Sequence, residues 1–228
     1  KEIKVPIVRN SRLVAMIGAS SSDLNYTQSD ATLLRQIGEI AYDYLERIKV
    51  ENLINFMAYN DALTHLPNRL SLSTQIDEAI KVHLSNNRLF ALCFIDLDGF
   101  KPINDTYGHD MGDKLLIALA NRFIGHLREN DIVSRLGGDE FVVIFTNLKE
   151  ENEYVALVQR LLDIIEEPFM IDDIEITISA SIGITVFPID QSDTDKLLRH
   201  ADKVMYQAKE NSAYKYKRYL KPNDAKIA

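Results

Sequence analysis

The segment Gly137-Gly138-Asp139-Glu140 constrains this chain more than any other. Residues 132–135 suit one strand and Phe141 to Phe145 a strongly apolar second one, so the two glycines fall where a hairpin must reverse. Gly-Gly is favoured there because both residues accept positive φ. Asn-Gly or Asp-Gly would turn the chain as well. Two carboxylates directly after two residues without side chains put negative charge where the backbone is bare. That pattern suits a divalent metal and a phosphorylated ligand. A solvated acidic turn is the plainer alternative.

A second acidic cluster bears on the choice. Leu89 to Ile95 is a continuous apolar run that stops at Asp96-Leu97-Asp98-Gly99. Such a run suits a buried central strand, and carboxylates just past its end belong to a site more often than to the packing. The two-residue spacing puts Asp96 and Asp98 on one face, with Leu97 on the other, while the strand lasts. If this strand pairs with the hairpin, Asp96 comes within reach of Asp139 and Glu140. Three carboxylates so gathered repel one another unless a cation lies between them. Oxygen-rich ligation without histidine favours Mg²⁺ or Mn²⁺ over zinc.

Composition narrows the classes. The chain has 228 residues, 46% of them apolar, which suits one large domain plus a fragment, or two small domains. No run approaches the ~20 apolar residues of a membrane span, and Lys1 onward leads into a strand pattern rather than an apolar leader. Cys93 is the single cysteine; it lies inside the apolar run and suits a reducing cytoplasm. A net charge of −8 argues against general nucleic-acid binding. A polyanionic substrate would then need a local metal and local basic residues.

Val5 to Val8 and Leu13 to Ala19 read as two strands about a turn, too little to enclose a core. A helical seam follows from about Asp30 to about Tyr59, where Leu34, Ile37, Ala41, Tyr44 and Ile48 recur at spacings of three and four. Such a helix packs on its own domain or pairs with its counterpart in a dimer. A helix bridging two modules has little surface of its own to bury against, which favours the dimer. Helical periodicity returns over 110–126, over 150–166 up to Pro168, and over 193–209, with strand alternation from Ile174 to Phe187. The order β-α-β-β-α-β predicts an α+β fold, a ferredoxin-like or polymerase-palm-like antiparallel sheet flanked by helices and preceded by the long helix.

Gly137-Gly138-Asp139-Glu140-Phe141 is, letter for letter, the signature of GGDEF-domain diguanylate cyclases. The chain resembles that family over roughly 56–220, in ordered blocks rather than one short match. Asp61 to Arg69 resembles the D-x-L-T-x-L-x-N-R motif, and Asp96 to Asp113 the metal and guanine-binding block. Ala180 to Ile184 and Ala201 to Lys209 resemble the later strand and the last helix. Residues 1–29 more weakly resemble the C-terminal end of a GAF sensor domain. The implied organisation is a GAF-like fragment at 1–29, a linker helix at 30–59, a cyclase domain at 60–220 and a tail at 221–228.

The resemblance implies a cytoplasmic enzyme that joins two GTP molecules into cyclic di-GMP with release of pyrophosphate, as a homodimer whose two sites face each other. It implies a metal site of Asp96, the Leu97 carbonyl, Asp139 and Glu140, with one of the last two activating the attacking hydroxyl. Asn104 and Asp113 match the residues that read the guanine edge; by themselves they are a turn Asn and a helix-start Asp. Phe100 and Lys101 match the loop that cradles the phosphates, and Gly137 and Gly138 leave room for the nucleotide. Lys209 matches the lysine that neutralises the terminal phosphate; alone it is a lysine favoured by a helix C-terminus. Arg128 and Asp131 fit the R-x-x-D of an inhibitory product site, with Arg160 as a further contact.

One departure stands out. Where the family continues A-K-x-x-G-R-N, this chain has Ser212 and Ala213 in place of the glycine and arginine. A lost charge-assisted contact costs about 1.5–3 kcal/mol of binding. Lys215 or Lys217 offers compensation. The second function consistent with these residues is a catalytically weak domain that binds cyclic di-GMP or GTP as a receptor.

Overall fold

The computed structural model describes residues 1–23, 25–190, 193–210 and 214–220. The chain divides into two compact units, Lys1–Ala58 and Tyr59–Ala228. In the first, strands β1 (Glu2–Arg9) and β2 (Arg12–Ser20) form an antiparallel hairpin. Its turn residues Asn10 and Ser11 both hold positive φ, 48° and 62°, a conformation asparagine tolerates well. Helix α1 runs from Gln28 to Tyr59, starting two residues before the expected Asp30. Val5 and Ile7 are buried, whereas Leu33, Ile37, Ile40, Tyr44, Leu53, Ile54 and Met57 of α1 are exposed.

The second unit is built on a five-stranded sheet. In chain order its elements are α2 (Arg69–Asn86), β3 (Leu89–Asp98), α3 (Phe100–Tyr107), α4 (His109–His126), β4 (Ile132–Gly137), β5 (Glu140–Leu148), α5 (Glu153–Glu166), β6 (Phe169–Ile171), β7 (Ile174–Ile176), β8 (Ser179–Phe187), α6 (Thr194–Glu210) and β9 (Tyr216–Arg218). The sheet order is β4-β5-β3-β8-β9, antiparallel except for the parallel β8–β9 edge. Its first four strands have the ferredoxin-like order, and the expected α+β fold is the observed one.

Side chains alternate across β3 as a strand with both faces covered requires. Ala91, Cys93, Ile95 and Leu97 join the core that contains Leu115, Leu119 and Phe123 of α4 and Val158, Leu161 and Ile165 of α5. Phe90, Leu92 and Phe94 join the opposite core, with Leu72 and Ile76 of α2 and Leu197, Ala201 and Met205 of α6. Cys93 is fully buried between β5 and β8. At Gly183 a Cβ would overlap the Ala201 carbonyl, so β8 and the α6 backbone touch directly.

Four expectations need correction. β3 does not stop at Ile95; it continues through Asp98 because β8 pairs with it to the end, Asp98 opposite Ser179. The alternation from 174 to 187 is not one strand: Ile174–Ile176 folds back on β6, and the chain then changes partner to join β3. Both pieces alternate alike, so the pattern hides the break. Helix α2 has no counterpart among the expected elements, although Asn68 caps it by accepting from the Leu70 and Ser71 amides. Its buried positions, Leu72, Ile76, Ala79 and His83, include a histidine and dilute the apolar signal. Phe100 and Lys101 lie not in a loop but in the first turn of α3.

Candidate active site

Antiparallel pairing of β3 with β5 sets Asp96 directly opposite Glu140. Asp96 lies two residues after Phe94 and Glu140 two residues before Val142, the residues that face α2 and α6, so their carboxylates share that face. The hairpin reverses at Gly138-Asp139 rather than at Gly137-Gly138, since Gly137 is already paired with Glu140. Gly138 has φ +54° and Gly137 φ +141°, which a side chain would resist. The turn is tied to β3 by the Leu97 amide, which donates to the Asp139 carbonyl at 3.3 Å.

A guanidinium anchors this turn from behind. Arg135 Nε and Nη2 donate to the Gly138 carbonyl at 3.1 and 2.7 Å, and Nη1 donates to Asp61 Oδ1 at 2.7 Å. Asp61 also accepts from the Thr64 amide and hydroxyl at 2.8 and 2.7 Å. Partial burial works against the Asp61 carboxylate, but the Thr64 and Arg135 contacts outweigh it and hold it below the usual range. Asp61, at the head of the Asp61 to Arg69 segment, thus serves the hairpin through a residue 74 positions away. Nothing in the local sequence of Arg135 signals this role.

The carboxylates are crowded. Burial raises Asp96, Lys209 opposes this by a 2.5 Å hydrogen bond, and the charges of Asp139 and Asp98 add to the rise. Burial also raises Glu140, helped by Asp202 and Asp96 and opposed by Arg69. Partial burial disfavours the Lys209 ammonium, yet the bond to Asp96 and the surrounding carboxylates raise it. Asp98 accepts from Ser179 and Ser181 at 3.2 and 2.9 Å, and Lys215 lies 3.7 Å from it. A cavity of about 220 Å³ opens beside Glu140, lined by Arg69, Phe94, Asp195, Leu198, Arg199 and Asp202.

The next elements supply a second group. Gly99, at φ +83°, turns the chain from β3 into α3. Asn104 sits within α3, not in a turn, and its Oδ1 is buried with no hydrogen-bond partner among the described residues. Gly112 of α4 makes room for it, because a Cβ there would overlap Asn104 Oδ1. Asp113 follows at once and is exposed, as is Lys101; Phe100 is half-buried. An amide acceptor left unpaired, and an exposed carboxylate on the residue after Gly112, suit a polar planar ligand.

Other expected residues lie elsewhere. Asp131 stands at the far end of the β4–β5 hairpin, where its carboxylate accepts from the Arg128 and Thr146 amides, both at 3.1 Å. Arg128 is exposed, and Arg160 lies on α5 with Nη2 buried and unpaired among the described residues. Ser212 and Ala213 fall outside the described residues. Of the two lysines offered as compensation, Lys215 is the one beside Asp98; Lys217 lies on β9.

Among the described residues no group of three or more His, Cys, Asp or Glu side chains forms a metal cage. The donors at Asp96 and Glu140 are hard carboxylate oxygens. Such a pair suits a small divalent ion that takes its remaining ligands from water and phosphate.

The family model described as "Diguanylate cyclase, GGDEF domain" matches residues 58–215. The chain belongs to the GGDEF domain family. This GGDEF chain is 42% identical over 160 residues to the bifunctional diguanylate cyclase/cyclic di-GMP phosphodiesterase MucR of Pseudomonas aeruginosa, covering 70% of this chain and 23% of MucR. It is 36% identical over 204 residues to diguanylate cyclase TpbB of the same species, covering 85% of this chain and 46% of TpbB. It is 38% identical over 168 residues to cyclic di-GMP phosphodiesterase PdeR of Escherichia coli, covering 74% of this chain and 25% of PdeR. The chain therefore spans a quarter to a half of these relatives. The solved GGDEF domain of TpbB superposes with a TM-score of 0.65 at 36% identity, covering 74% of this chain and 98% of that one.

Proposed function

We propose that this GGDEF domain condenses two GTP molecules into cyclic di-GMP and releases pyrophosphate. The facing of Asp96 and Glu140 across the β3–β5 ladder, beside the Gly138-Asp139 turn, carries this assignment. Each bond forms when a ribose 3′-oxygen attacks an α-phosphate; the hydroxyl loses its proton and pyrophosphate departs. Asp96, the Leu97 carbonyl, Asp139 and Glu140 would hold Mg²⁺ or Mn²⁺. When bound, the ion offsets phosphate charge and lowers the pKa of the attacking hydroxyl. The raised Asp96 and Glu140 support such a site, since their repulsion is what a cation relieves. Asn104 and Asp113 read the guanine edge, Phe100 and Lys101 position the phosphates from the start of α3, and Lys209 and Lys215 supply cations.

Two active domains must meet, one GTP on each. The exposed apolar residues of α1 fit a second copy of the same helix, as expected of a linker that aligns two domains. Residues 1–29 would be the end of a GAF-like input domain. Arg128 and Asp131, with Arg160, would take the product as a feedback inhibitor. The test of that assignment is Arg128→Ala: cyclic di-GMP is expected to bind at least tenfold more weakly, on the scale of a lost charge-assisted bond, and unchanged binding would remove it.

The main assay incubates the chain with GTP and Mg²⁺ and separates products by chromatography. Cyclic di-GMP is expected from the parent and none from Glu140→Ala. A second function, as a receptor that binds the dinucleotide without making it, is favoured by Ala213 where the family carries arginine, and by the phosphodiesterase PdeR among the relatives. Nucleotide binding without product at any protein concentration would select it.

A further inference from the structure

The end of β3 carries two ion pairs rather than bare acids. Lys209 Nζ lies 2.5 Å from Asp96 Oδ1. Lys215 Nζ lies 3.7 Å from Asp98 Oδ2 and 3.0 Å from Ser179 Oγ. Asp96 is held on the central strand with its side chain only 14% exposed, whereas the Lys209 side chain, from the last turn of α6, is 43% exposed. The two partners therefore differ in freedom. The carboxylate is fixed by the β3–β5 and β3–β8 ladders, and the ammonium rides on a flexible four-carbon stem with its head in reach of water.

An ammonium on Oδ1 of Asp96 competes by charge and by crowding with a divalent ion for the same carboxylate. An ion pair with so exposed a lysine is weak. A polyphosphate, with several negative charges, can outbid one carboxylate for that ammonium. We propose that Lys209 is a place-holding cation: without nucleotide it occupies Asp96 and keeps a divalent ion off it, and a polyphosphate draws it away and opens Asp96 to the ion. Nucleotide and metal are thereby coupled through one side chain, each favouring the other by the same factor. The proposal rests on the assignment of Asp96 as a metal ligand.

The test measures Mn²⁺ affinity of the full 228-residue chain without nucleotide, from the electron paramagnetic resonance signal of the free ion. Lys209→Met is expected to bind Mn²⁺ at least about fivefold more tightly than the parent, the lower end of ordinary coupling between sites. Lys209→Arg keeps the charge and should stay as weak as the parent. Lys215→Met removes a neighbouring charge that does not touch Asp96, and should shift the affinity by less than about twofold on the same scale. Asp96→Asn in the Lys209→Met background should abolish the gain. If Lys209→Met leaves the affinity unchanged while Asp96→Asn still weakens it, the place-holding role is wrong and the metal assignment survives. An equal gain in Lys215→Met reduces the effect to a general field and overturns the proposal. If Asp96→Asn changes nothing, the metal assignment fails, and the proposal with it.

Discussion

Glu140 and Arg135 sit on the same hairpin and have opposite effects on its stability. Glu140 is a carboxylate in a neighbourhood of carboxylates, its pKa raised by burial, Asp202 and Asp96. The folded domain therefore holds the Glu140 proton more tightly than the unfolded chain, and stability falls as pH rises through the raised value. Glu140→Gln should melt higher than the parent at neutral pH, by less than about 1 kcal/mol because solvent screens a half-exposed group. The difference should vanish below the ordinary carboxylate range, where both states are protonated; calorimetry across pH measures it. A variant that melts lower at neutral pH would show that Glu140 is not under electrostatic strain.

Arg135 does the reverse. Its guanidinium, 8% exposed, joins Asp61 to the Gly138 carbonyl. Arg135→Met leaves the half-buried Asp61 without its counter-charge, held by Thr64 alone, and should cost about 3 kcal/mol by denaturant unfolding. Asp61 has a lowered pKa. Its contribution is complete above the ordinary carboxylate value and disappears as pH falls through the depressed one, so the parent's advantage over Arg135→Met should shrink in acid. The approach of Asp96 to Glu140 follows from the sequence on the condition that the 89–95 strand pairs with the hairpin, and the β3–β5 ladder meets that condition. The role of Arg135 does not, because it depends on which residue 74 positions away is folded beside it.

At the level of elements, the long strongly patterned pieces could be read and the short ones could not. Helices α4, α5 and α6 carry apolar residues at clear helical spacing, and their bounds fell within about three residues of expectation. Helix α3 has eight residues, FKPINDTY, with proline in its first turn and a glycine at either end. Proline is harmless there because the first amides of a helix lack partners. Gly, Pro, Asn and Asp so close together nevertheless resemble a loop. The helix matters for function, since α3 is what points Asn104 at Gly112. Gly112→Ala should push Asn104 aside. If the guanine assignment holds, the Michaelis constant for GTP should rise about tenfold, as for a lost directional contact, with the melting temperature reduced by only a few degrees. Unchanged kinetics would detach Asn104 from substrate.

The whole molecule joins a well-cored unit to a sparsely cored one. The GGDEF unit buries two continuous clusters, one on each face of its sheet. Among the described residues of Lys1–Ala58 only Val5 and Ile7 of the apolar side chains are buried, while α1 leaves a run of leucine, isoleucine, tyrosine and methionine exposed. A chain cut to residues 59–228 should fold and bind nucleotide as the parent does. If α1 pairs with its counterpart as proposed, the cut chain should sediment as a monomer and the parent as a dimer, and the cut chain should form product at a rate that rises with protein concentration. Equal sedimentation of the two would rule out α1 as the dimerising element. No helix among the described residues is long and apolar enough to cross a membrane.

Burial pushes the thiol of Cys93 far up, so it is both shielded and unreactive while the sheet is intact. Its position on the central strand, with β5 on one side and β8 on the other, means that no fraying of an edge or terminus exposes it. Only the complete opening of the domain does. The protein therefore contains its own reporter of global unfolding. A disulfide reagent should label it at the unfolding rate and leave the native protein untouched, and cysteines introduced at the surface can be labelled without interference from this one.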